Sequence, residues 1–175
     1  YIYSNRLNLG QVRTEENVFW SLAPHDISIF QFLIEDSPVS IKAHGGDFLQ
    51  EGIQDSTITI LEYPNNIKCH IFVSWLHPFK EHRLVVVGSE AMVSFEDSNE
   101  DKPLKLYAKK FEVKKNISKK IDGPVKNIIY DKSLPLTEEL KYFINHLDGN
   151  NLVKCNGTHA LEVTRFLVKA SNELL

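Results

Sequence analysis

The run Trp20-Ser21-Leu22-Ala23-Pro24-His25-Asp26 holds the groups best suited to proton chemistry in this chain. An imidazole beside a carboxylate, at the opening of an apolar helix, can take a proton from a hydroxyl near neutral pH. Ser21 is a fair N-cap, and Pro24 is tolerable only within a first helical turn, so the helix is expected to begin here. His25 would then sit in the first turn, facing outward, where the positive end of the helix dipole favours neutral imidazole. Asp26 points about 100° around the helix and would complement that dipole. The same residues also suit a plain capping segment whose histidine merely meets solvent.

These groups depend on the elements around them. Residues 1–5 read as a strand entering a polar loop, Asn5 to Asn17, that carries Arg6, Asn8, Gly10 and Arg13. After His25, the residues Ile27, Phe30, Leu33 and Ile34 recur at helical spacing, and Asp36-Ser37-Pro38 ends the helix. Six or more strands follow. Residues 39–43, 56–63 and 68–76 are β-branched and aromatic, with Pro64-Asn65-Asn66 as a hairpin turn between the last two. Residues 83–87 and 91–95 flank Gly88-Ser89-Glu90, and weaker strand signals cover 104–108 and 125–130. Short connections mean antiparallel pairing. Two helices close the chain, one from Pro135 with Leu140, Phe143, Ile144 and Leu147 on one side, the other from near Thr158 to Leu174. Their apolar stripes call for a surface, and one face of the sheet is the large one on offer.

Composition narrows the classes of function. The chain has 175 residues, is 42% hydrophobic and 25% charged, and fits a single domain with a real core. A net charge of −3 argues against a general nucleic-acid binder. The basic run from Lys109 to Lys120 contains a single aromatic, Phe111, and reads as a solvated loop or edge-strand rim. Cys69 and Cys155 make no disulfide framework; Cys69 reads as a small core side chain, and free thiols suit the cytoplasm. No apolar run approaches the ~20 residues of a membrane span. His77, Lys80, His82 and Arg83 gather near one strand connection without the spacing of a metal site, so no metal is expected.

Five blocks carry a resemblance: Asn5-Arg6-Leu7-Asn8-Leu9-Gly10; Trp20 to Asp26; Ser74-Trp75-Leu76-x-Pro78-x-Lys80; Pro135-Leu136-x-x-Glu139-Leu140-x-x-Phe143; and Gly157-Thr158-His159-Ala160-Leu161-Glu162-Val163. Their order resembles the C-terminal domain of the Gfo/Idh/MocA oxidoreductases. That resemblance implies an α+β fold, a large, mostly antiparallel open sheet with helices packed on one face. It implies that residues 1–175 are one substrate-binding and oligomerisation domain, with the N-terminal Rossmann domain absent from this chain. No Gly-x-Gly-x-x-Gly turn is present, and Gly45-Gly46 is the one adjacent glycine pair, so NAD or NADP would be held mainly by the missing domain.

The resemblance also assigns roles. His25 matches the family's active-site histidine, which handles the proton of a sugar hydroxyl together with a lysine of the missing half. Many members place an aspartate four residues before that histidine; here the position is Ser21, which supplies no charge. Arg6, Asn8 and Arg13 would face the substrate, since guanidinium forks suit carboxylate or phosphate, or they would anchor the loop to the sheet. Trp20 would floor a sugar ring or pack as a hydrophobic staple. Trp75 would pack in the core. The implied substrate is a sugar, with the Ser-Trp-Leu-x-Pro-x-Lys block resembling members that act on nucleotide-linked amino sugars. Homo-oligomers would form through the open sheet face. The alternative is a non-catalytic sheet domain for dimerisation or ligand binding, with Ser21 marking lost chemistry.

Overall fold

The computed structural model describes residues 1–174. In chain order the elements are β1 (Ile2–Leu9), α1 (Val18–Ile34), β2 (Ser40–Gly46), β3 (Ser56–Glu62), β4 (Lys68–Ser74), β5 (Leu76–Val87), β6 (Met92–Glu96), β7 (Leu104–Lys114), β8 (Ile117–Ile128), α2 (Pro135–Asn145) and α3 (Gly157–Ser171). The strands form one open sheet in the order β2-β3-β4-β1-β5-β6-β7-β8. Every neighbouring pair is antiparallel except β1 and β4, which run parallel with Ile2 opposite Cys69 and Leu7 opposite Ser74. The α+β class and the mostly antiparallel open sheet are those expected.

The core lies between α1, α3 and the β2-β3-β4-β1 half of the sheet. Strand alternation turns Ile2, Leu61, Cys69, Ile71 and Val73 to one face, where Phe19, Ala23, Ile27 and Phe30 of α1 meet them, with Phe166, Leu167 and Ala170 of α3. Burial pushes the Cys69 thiol up to about 11, as a small core residue should be. Trp75 is 2% exposed at the bend between β4 and β5, a packing residue.

Four expectations need correction. β1 continues to Leu9, so Arg6 and Asn8 lie on a strand rather than in a loop. The chain becomes helical at Val18, not Ser21, because Asn17, in an extended conformation, accepts a hydrogen bond from the Trp20 amide and caps the turn. Pro24 therefore stands inside the helix, where it has no N–H for the Trp20 carbonyl. The weak signals at 104–108 and 125–130 belong to an uninterrupted ribbon, β7 and β8, that includes the lysine-rich run. Finally, α2 does not pack on the sheet. Leu136, Leu140, Phe143, Ile144 and Leu147 are all exposed, each by more than half. The expected cover by the sheet face is therefore not what its stripe finds among the described residues.

Candidate active site

The rotation of α1 is set by its buried apolar side and, within that side, by one carboxylate. Asp26, 1% exposed, points at the sheet and accepts from Ser4 Oγ at 2.6 Å, Arg6 Nε at 3.0 Å and Arg6 Nη2 at 3.2 Å. Ser4 and Arg6 share a face of β1 because they are two residues apart on a strand. Asp26 is thus a buried anchor in the middle of α1, not the N-terminal dipole complement expected of it. A buried carboxylate is tolerated when paired and fully hydrogen-bonded, and the two-pronged guanidinium supplies both.

That anchor turns the neighbouring residue outward. His25 is exposed, on the opposite side of the helix from the core. It is the eighth helical residue, not a first-turn residue, and helix-dipole effects fade within the first turn. Ser21 stands one turn earlier on the same side, half-buried.

The remaining predicted residues divide. Arg6 has two donors committed to Asp26, so it serves the fold before it can serve a substrate. Asn8 shares the α1-facing side of β1, folds over Gly10, and has a buried Oδ1 with no protein partner. Arg13 is exposed in the loop before α1 and pairs with Glu16 at 3.3 Å. Trp20 donates its indole N–H to Ser171 Oγ at 2.8 Å and ties α1 to α3; it stands inside the helix, so it is not the staple expected just before it. Ser21, His25 and Asp26 stand on α1, and Arg6 of β1 is tied to it through Asp26; Trp20, next to Ser21, faces α3, and Arg13 lies in the loop before the helix.

The geometry adds residues that pattern reading did not assign. His82 lies opposite Arg6 on β5. Burial, then the nearby Arg6 and Lys80 charges, lowers its pKa from the ordinary histidine value. Asp97 donates its amide to the His82 carbonyl at 2.8 Å. Burial opposes the Asp97 charge, but Lys102 at 2.8 Å, with Arg6 and His82, outweighs it and holds the carboxyl below its ordinary value. His77, Lys80, His82 and Arg83 do not gather at a turn; they are strung along β5, and Arg83 faces the other side, where it pairs with Glu96 and Glu81. Only strand register could have joined Arg6, His82 and Asp97, which are far apart in sequence. A hollow of about 430 Å³ beside Ser28, Ile29, Phe32, Cys155 and His159 contains none of the candidate site residues.

Residues that would cradle a dinucleotide are not found among those described. Gly45-Gly46 ends β2 and leads into a loop and then β3, not into a helix N-terminus that could receive a pyrophosphate. The chain does not by itself fit such a cofactor. No described helix is long and apolar enough to cross a membrane.

An open, mostly antiparallel eight-stranded sheet with α1 and α3 packed on one face defines an α+β domain. Residues 6–94 match the model of the GFO/IDH/MocA C-terminal domain, and the chain belongs to that family. The whole fold is similar to UDP-N-acetylglucosamine 3-dehydrogenase from Acidithiobacillus ferrooxidans (TM-score 0.85, 17% identity, 99% of this chain and 54% of that one). It is also similar to aldose-aldose oxidoreductase from Caulobacter crescentus (TM-score 0.75, 11% identity, 98% and 52%). An oxidoreductase domain protein from Kribbella flavida matches with TM-score 0.75 at 9% identity, over 98% and 55%. The chain spans about half the length of these structures. No curated protein sequence matches it.

Proposed function

We propose that this chain is the substrate-side domain of a dehydrogenase that oxidises a sugar hydroxyl, with NAD or NADP as oxidant bound by a Rossmann domain outside residues 1–175. The observation that carries the reading is His25, exposed on a helix whose rotation is fixed by its buried apolar side and the Asp26–Arg6 pair. A group held rigidly yet open to a neighbouring lobe is suited to take the hydroxyl proton. Ser21, one turn away, adds no charge, so the imidazolium formed on proton transfer depends on the companion lobe for stabilisation. The apolar side of α2 supports a companion lobe as well: an 11-residue helix with four large apolar side chains in solvent is marginal alone.

The substrate is a sugar, and more narrowly a nucleotide-linked amino sugar, on the strength of the family motifs and the fold shared with UDP-N-acetylglucosamine 3-dehydrogenase. The helix-free sheet face, with Tyr3 stacked on His70 and with Ile58 and Ile60 both 42% exposed, is where copies would associate, and the enzyme would work in the cytoplasm. His25→Ala in the parent enzyme should lower kcat by 10²-fold or more, the scale of lost acid–base catalysis. Affinity for NAD(P), measured by fluorescence titration, should be unchanged. Equal losses in both, or no loss, would remove the proton-handling role.

A further inference from the structure

We propose that the outer part of the β7–β8 ribbon is an arm that docks on the Asp47–Glu51 loop of a second copy of this chain. β6 pairs with β7 only from Leu104 to Tyr107, while β7 and β8 continue pairing to the turn at Lys115-Asn116. Beyond Tyr107 the ribbon therefore has two strands and no third element. An isolated two-stranded ribbon is marginal in water. The break falls at a register shift between Tyr107 and Lys109, where Gly123 lies so close to the Ala108 carbonyl that a Cβ would sit 2.2 Å from its oxygen. One face of the arm shows Phe111 and Val113, 62% and 65% exposed.

Charge says what covers it. The arm carries Lys109, Lys110, Lys114, Lys115, Lys119 and Lys120 against Glu112 and Asp122, on a chain whose net charge is −3, so the rest of the molecule is acidic. Lys109 and Lys120 are taken by Asp122, whose carboxyl they hold at about 2. Lys115 and Lys119, near the tip, form no ion pair among the described residues. The complementary surface is the loop between β2 and β3. There Phe48 and Leu49 are 73% and 56% exposed between Asp47 and Glu51, and Glu15 and Glu16 share a hollow with Gly52 of the same loop. Apolar side chains flanked by carboxylates match apolar side chains flanked by ammoniums.

The arm cannot reach its own loop. β2 and β8 are the two edges of the sheet, roughly 34 Å apart at the usual strand spacing. The pairing directions also put the arm and the loop at opposite ends of the strands. The contact must come from another copy, and a two-fold arrangement would make it twice. Phe111 and Val113 keep the strand parity of Tyr107, so this surface borders the helix-free face; the contact does not depend on the dehydrogenase reading.

Sedimentation of the full-length parent tests it. Lys115→Glu with Lys119→Glu should lower the mass of the assembly, as should Asp47→Lys with Glu51→Lys, and combining the four should restore it. All four sites are exposed, and circular dichroism would verify that each variant is folded. Unchanged mass in either reversed pair, or no restoration in the combined variant, overturns the proposal. So does an assembly that dissociates with Ile58→Arg on the helix-free face but ignores the arm, and this outcome leaves the reading of that face intact. Heparin binding lost with the lysine pair, at constant mass, would assign the arm to a polyanion and likewise overturn it.

Discussion

Asp26 and Arg6 meet through two hydrogen bonds, at 3.0 and 3.2 Å, across the gap between α1 and β1, and by doing so they turn His25 to the outside. The two partners are not equally buried: the Arg6 side chain is 16% exposed and that of Asp26 2%. Removing Arg6 strands a buried carboxylate, whereas removing the carboxylate leaves a guanidinium that can still reach water. Arg6→Met should therefore cost about 3–5 kcal/mol and Asp26→Asn clearly less. Urea denaturation of the two variants gives the comparison; equal costs would refute the asymmetry.

Ser21→Asp in the parent enzyme should raise turnover several-fold. A carboxylate one helical turn from His25 would stabilise the imidazolium that forms when the ring accepts the hydroxyl proton. Steady-state kinetics should show the gain in kcat with KM little changed. A gain in KM alone would mean that position 21 acts through substrate contact instead.

Stability should fall as pH drops below about 6.5. Burial lowers the pKa of both His70 and His82 in the folded state, with Arg6 and Lys80 adding to the effect at His82. Below the ordinary value of 6.5 the unfolded chain takes up protons that the folded chain refuses, so the loss grows with acidification and vanishes above that value. Denaturation midpoints at pH 7.5 and 5.5 should differ less for His70→Gln/His82→Gln than for the parent sequence.

Amide exchange should separate the helices. In residues 1–175 expressed alone, α2 should exchange orders of magnitude faster than α1, which buries Val18, Phe19, Ala23, Asp26, Ile27 and Phe30. In the parent protein α2 should become protected, because its apolar side gains a cover. Fast exchange of α2 in both would argue against a companion lobe over that helix.

The sequence alone determined the class of fold, the helix that bears the histidine and its apolar periodicity, and most of the strands, because binary patterning is a local property. It also identified the family, through motifs short enough to survive in order. Local signals misplaced the start of α1: Ser21 and Pro24 are a plausible cap and first-turn pair, but Asn17 captures the Trp20 amide first. Charge left Lys109–Lys120 open between a solvated loop and an edge-strand rim, since six lysines mask the alternation of Phe111 and Val113; the ribbon that ends in the edge strand β8 is the second of these. Tertiary structure decided the rest. That Asp26 points inward and His25 outward follows from Ser4 and Arg6 arriving from a strand some twenty residues away. The company of Arg6 with His82 and Asp97 depends on which strands lie side by side. Burial and strand register are relations between distant segments, and no window of sequence contains them.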